Sequence, residues 1–152
     1  MCDYSVLITL DKNGKTHRFI YEAPEEDQAF GGNWDQATAT FTYRVKTAPT
    51  TEYCFEFTVQ QEGQDRLRVV MMENHGREEY RAKGIPEAMI LMLARSSGKT
   101  VTSSSNRAGP GEYRTTAANK IWQRLLGRRS ARYSLEEDRY YAIAPPKRKY
   151  AH

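Results

Sequence analysis

The sequence predicts an α+β domain: a mixed, mostly antiparallel sheet that opens with an N-terminal β meander and carries two main helices. Three observations predict it. Thr38 to Thr47 and Glu52 to Gln61 alternate apolar and polar residues with period two, the mark of an antiparallel sheet covered on one face. A third strand-like segment, Arg66 to Glu73, leads through a basic glycine turn and Pro86 into the apolar run Ala88 to Ala94. Further on, Ala118, Ile121, Trp122 and Leu125 recur at helical spacing and form one apolar stripe.

The elements follow in order. Tyr4 to Leu10 and Thr16 to Tyr21 are rich in β-branched and aromatic residues, and the Asn13-Gly14 pair between them tolerates positive φ, so a hairpin is expected. Ala23 to Ala37 breaks the pattern with Pro24, the acids Glu25, Glu26 and Asp27, and Gly31-Gly32, and reads as a loop carrying Phe30 and Trp34. Turns at Ala48-Pro49-Thr50 and Glu62-Gly63-Gln64-Asp65 join the next three strands as a meander. The last strand becomes continuously apolar at Val69-Val70-Met71-Met72, which predicts burial on both faces. Pro86 suits a first helical position, and Ser96 to Lys99 ends the helix. Thr100 to Ser104 is a short strand, parallel to the one before the helix if the crossover is right-handed. Thr115 or Thr116 caps the second helix, Gly127 stops it, and Ala131 to Ser134 with Arg139 to Ile143 closes the chain as a hairpin. Residues 1–144 read as one domain and 145–152 as a basic tail expected to be disordered.

Composition excludes several classes. With 152 residues, 39% hydrophobic and 28% charged, the chain suits one domain with a real core. Its longest apolar run, Ala88 to Ala94, cannot span a bilayer, and Asp3 with no long apolar segment after it argues against a signal peptide, so the expected setting is the cytoplasm with no membrane partner. Cys2 and Cys54 make no disulfide framework, and His17, His75 and His152 are scattered, so no metal site is expected. Residues 1–75 carry 7 Lys or Arg against 12 Asp or Glu, a net of −5, and residues 76–152 carry 16 against 7, a net of +9. The basic half is either a solvated surface or the seat of a polyanion.

The turn Tyr80-Arg81-Ala82-Lys83-Gly84-Ile85-Pro86 has a chemical use beyond starting a helix. Its free N–H groups, the positive end of the helix dipole, and Arg81 and Lys83 could hold a phosphate or pyrophosphate; an ordinary turn into a core helix is the alternative. Glu87 in the first turn would compete with such an anion.

Arg81-Ala82-Lys83-Gly84-Ile85-Pro86 resembles the acyl-CoA pyrophosphate loop of the GNAT superfamily of N-acetyltransferases, departing only at its last position, where Pro86 replaces Gly or Ala. Ala118 to Trp122 is similar to the family's Ala-x-x-Leu-Tyr segment, and the resemblance covers about Arg66 to Ile143. It implies a GNAT-like fold and an N-acetyltransferase that uses acetyl-CoA as co-substrate. The backbone of Val69, Val70 and Met71 would take the pantetheine arm, and Arg81, Ala82, Lys83, Gly84, Ile85 and Pro86 the pyrophosphate. Direct attack by an amine needs a base, with Glu73 or His75 as candidates, and an acid. The family's tyrosine falls at Trp122, so Tyr113, with Tyr133 and Tyr80 behind it, is the candidate acid. The first half departs from the family, which leaves the acceptor open; Phe30, Trp34, Glu25, Glu26 and Asp27 would suit the mouth for a cationic amine. Two other readings stand: a catalytically inactive GNAT-like binding or inhibitory protein of phage or mobile-element type, and a nucleic-acid binder that tracks phosphates with Arg107, Arg114, Lys120, Arg124, Arg128, Arg129 and Arg132. A protein partner for the basic half is equally open.

Overall fold

The computed structural model describes residues 4–24, 39–107, 109 and 112–143. Phe30, Trp34, the acids at 25–27 and the basic tail lie outside these residues. One sheet of eight strands runs in the order β1-β2-β3-β4-β5-β6-β8-β7, made of β1 (Ser5–Leu10), β2 (Thr16–Glu22), β3 (Thr40–Lys46), β4 (Phe55–Glu62), β5 (Arg66–Glu73), β6 (Thr100–Thr102), β7 (Ala131–Ser134) and β8 (Arg139–Ala142). All neighbours are antiparallel except β5 and β6. The helices are α1 (Ile85–Ser97) and α2 (Thr116–Gly127), of 13 and 12 residues.

This corrects the expected GNAT-like α+β architecture. The described residues form mostly a curled mixed sheet, a half-barrel with two short helices, in place of a sheet flanked by main helices. The physical reason lies in the alternation. Phe41, Tyr43 and Val45 sit opposite Val59, Phe57 and Phe55 on one face, and the core forms there with Ile85, Met89, Ile90 and Leu93 of α1. The other face of β3 to β5 is polar and bonds to itself: Thr42 to Thr58 at 2.9 Å, and Arg68 to Gln60 at 2.6 Å. Such a face calls for no helical layer. Each fully buried side chain on the apolar face contributes roughly 1.5–3 kcal/mol.

Local chemistry explains the first hairpin. Asp11 closes its turn by accepting from the backbone N–H groups of Asn13 and Lys15 through Oδ1, while its Oδ2 meets His17 Nε2 at 2.8 Å. The His17 bond is the main cause that holds the Asp11 carboxyl below its ordinary range.

The apolar run in β5 means something other than two-sided burial. Val59 pairs with Val69 but Thr58 pairs with Met71, so Val70 is an extra residue, a β-bulge. Val70 and Met71 are 39% and 41% exposed. The run of four apolar residues reflects a change of face at the bulge.

An ionic network ties the connection after β6 to the sheet. Asp138 accepts from Tyr133 Oη at 2.6 Å, the Asn106 N–H at 2.8 Å and Arg114 Nη2 at 3.3 Å. Arg114 Nη1 donates to the carbonyls of Ser104 and Asp138, each at 2.9 Å. Glu112 accepts from the Ser105 N–H and from Arg139, which also bonds Glu62 of β4. Tyr133, with Asn106 and Arg114, holds the Asp138 carboxyl down to about 2 despite its burial.

A group whose pKa is lower folded than unfolded adds stability above its unfolded value, near 3.9, and loses it as pH falls through the folded one. Denaturant melts are therefore expected to show stability falling between about pH 4 and pH 2. Asp138→Asn should begin about 2 kcal/mol less stable at pH 7, as expected for the loss of hydrogen bonds to a charged group, with a flatter profile below pH 4. An unchanged profile would remove Asp138 from the acid response.

Candidate functional site

The site begins where β5 loses a partner. Only Arg66, Leu67 and Arg68 pair with β6; beyond them β5 pairs with β4 alone, and the chain after Thr102 turns toward β8, with Ser103 N donating to the Tyr140 carbonyl. The bulge at Val70 falls in this gap. One side chain crosses its base: Ser104 Oγ donates to the Val69 carbonyl at 3.2 Å and accepts from Arg68 Nη1 at 3.2 Å. A cavity of about 300 Å³ opens above, between Val69–Glu73 on one side and Ser103, Ser104 and α2 on the other. Trp122 lines it, buried and stacked on Tyr140 at 6.0 Å. An unpaired strand edge offers backbone N–H and C=O groups to an extended ligand.

A second cavity of about 200 Å³ lies over the start of α1. Gly84 caps this helix with φ of 79°, Ala82 before it has φ of 53°, and no side chain bonds the cap. Pro86 has no N–H, which leaves those of Ile85 and Glu87 as the first-turn donors outside the intrahelical pattern. Lys83 and Arg124 bring positive charge to the cavity, and Glu87, 4% exposed, brings a carboxylate that meets Arg124 at 3.4 Å. The two cavities share Met72, Glu73, Ala117 and Ile121, so they adjoin.

Of the residues expected from sequence, Val69, Val70 and Met71 line the first cavity, and Ala82, Lys83, Gly84 and Pro86 the second. Two residues of the 81–86 turn reach neither. Arg81 is turned outward to Glu78 at 3.0 Å, and Ile85 is fully buried in the core. Glu73 lines both cavities, and its Oε1 accepts from the His75 N–H at 2.8 Å. His75 itself lines neither; its Nε2 lies 2.6 Å from Glu56 Oε1. Tyr113 lines the first cavity and is 69% exposed.

The hydroxyls of the reserve tyrosines are already bonded, although Tyr80 lines the second cavity. Tyr80 is buried, donates its hydroxyl proton to the Tyr53 carbonyl at 2.7 Å and accepts from the Thr47 N–H. Tyr133 donates to Asp138, which raises its pKa above the ordinary phenol value. Arg124 is the cavity cation that sequence placed on a surface stripe instead. Its signal was one of spacing: three residues past Ile121, it projects from the edge of the apolar stripe of α2 toward the start of α1.

Among the described residues no group of three or more His, Cys, Asp or Glu could hold a metal ion, and no helix is long and apolar enough to cross a membrane. No family model, curated protein or solved structure matches the chain. Function is therefore read from the cavities themselves.

Gly84 has a role apart from any ligand. A Cβ there would overlap the Leu10 carbonyl oxygen and lie 2.8 Å from its carbon. Gly84→Ala should destabilise the protein by about 3 kcal/mol, combining the strain of left-handed backbone with overpacking. Thermal melts without any ligand check this, and a melting temperature equal to that of the natural chain would refute the close approach. Ligand binding lost on substituting Gly84 thus says little about a phosphate, whereas Lys83 and Arg124 report on it directly.

Proposed function

We propose that the chain binds an acyl-CoA across the two adjoining cavities and transfers its acyl group, acetyl in the simplest case, to an amine. The observation that carries this reading is the junction. A free strand edge with a bulge opens onto one cavity, a helix N-terminus with Lys83 and Arg124 onto the other, and Glu73 stands on their common wall. The amide-bearing arm of such a ligand can pair with a strand edge as another strand would. Its pyrophosphate suits the first-turn N–H groups and the two cations. Glu87 opposes the anion, and Arg124 is the counter-ion that lets both charges share the cavity. The likeness of Arg81 to Pro86 to an acyl-CoA pyrophosphate loop supports the same reading.

In this reading the amine nitrogen forms a bond to the thioester carbon as the carbon–sulfur bond breaks. Glu73 receives the proton that the ammonium loses, directly or through water. Tyr113, the phenol that reaches the first cavity, returns a proton to the thiolate. His75, bonded to Glu56 and joined to Glu73 through its N–H, positions that carboxylate. The amine remains open in identity.

A second reading, binding without turnover, is favoured by Trp122. An indole N–H is not an acid of useful strength, and Tyr113 is a solvated alternative.

Isothermal titration with acetyl-CoA tests both. Micromolar binding is expected, weakened at least ~10-fold, or ~1.4 kcal/mol, by Lys83→Glu or Arg124→Glu. Glu73→Gln should keep binding while lowering amine turnover by ~100-fold. Absence of binding at millimolar acetyl-CoA would end the proposal. Binding by the natural chain with no turnover across a panel of amines would favour the second reading.

A further inference from the structure

The sequence places a net charge of +9 on residues 76–152, and the structure distributes it unevenly. Every acid of residues 112–143 but one is already engaged: Glu112 with Arg139, Glu137 with Arg66, and Asp138 with Arg114. Glu136 alone stays solvated, at the turn of the last hairpin. The bases divide the other way. Arg114 and Arg139 are sequestered in the network, whereas Lys120, Arg128, Arg129 and Arg132 are exposed and have no acidic partner among the described residues.

Those of α2 and its end are arranged in a line. Lys120 and Arg124 of α2 and Arg128, its C-terminal cap, stand at i, i+4 and i+8, hence on one side and about 6 Å apart along the axis. Arg129 follows Arg128 in the turn before β7, whereas Arg132 pairs with Tyr141, which lies under Arg66 on the sheet face away from α2, since the neighbouring pair Tyr133 and Tyr140 faces Trp122.

We infer that the basic side of α2, with the turn that follows it, binds the phosphodiester backbone of a nucleic acid. Three of its four cations are arginines, whose planar fork matches phosphate oxygens. Across α2 the large apolar residue left exposed is Leu126, too little for the apolar anchors on which a protein interface centres. The surface does not depend on acyl transfer, and Arg124 is its one residue shared with the second cavity.

Fluorescence anisotropy with a labelled single-stranded oligonucleotide and its duplex, titrated at several salt concentrations, tests this. Neutralising about four phosphates predicts a slope of log affinity on log salt near −3 for the single strand and slightly steeper for the duplex. The double variant Lys120→Glu, Arg128→Glu should flatten the slope by about 2 and weaken binding at least ~10-fold, with thermal melts and acetyl-CoA titration unchanged. The triple variant adding Arg129→Glu should weaken it further. Binding that is insensitive to salt or to these variants would overturn the inference. So would equal affinity for polyglutamate of matched charge, which would assign the surface to an acidic protein segment.

Discussion

The parting of β5 from β6 governs everything in this protein that resembles a site. Two parallel strands held together by three residue pairs cannot continue once one gains an extra residue at Val70 while the other turns away at Ser103. The bulge increases local twist and leaves backbone groups on one side of β5 without a ladder. A closed sheet would have buried that edge against its neighbour. An open one leaves room, and α1 and α2 fix the boundaries of the room because both pack on the same core.

The open edge would be a liability without support from below. The connection between β6 and α2 crosses the floor of the first cavity, and it is held by charge-assisted bonds: Arg114 to the Ser104 and Asp138 carbonyls, and Glu112 to the Ser105 N–H and Arg139. Bonds of this kind are stronger and more directional than apolar contact. They set where Ser104 sits, and Ser104 in turn takes the Val69 carbonyl. The free edge is therefore limited from its first residue, and it begins in earnest at the bulge.

How much of this was legible in the sequence varies with the range of the forces involved. The first hairpin was readable because Asn13-Gly14 and Asp11 act within a few residues. The start of α1 was readable from Gly84, Pro86 and the apolar spacing that follows. Antiparallel pairing of β3, β4 and β5 was readable from period-two alternation. The bulge was not: four successive apolar residues look alike whether a strand is buried on both faces or changes face. The sparse helical cover was misread for a similar reason, since Thr42, Thr58, Gln60 and Arg68 satisfy one another across strands, and only register shows that they do.

The candidate site was legible in its chain segments and illegible in its directions. Arg81 and Lys83 are equally basic in sequence, yet one faces Glu78 and the other a cavity. Tyr80 and Tyr113 are equally phenolic, yet one is buried against the Tyr53 carbonyl. His75 reaches Glu56 across the strands, a partner nineteen residues away that no local pattern announces.

The contact of Gly84 with the Leu10 carbonyl joins the end of the first strand to the turn before α1. These segments are far apart in the chain and share a backbone surface with no side chain between them. The wall of the second cavity is thus set by the first hairpin as much as by its own turn. A fragment beginning after β2 would retain Lys83, Arg124 and the start of α1, and would lack the surface against which their turn is shaped. The opening hairpin belongs to the cavity architecture, and no piece of this chain that lacks it is a minimal version of the site.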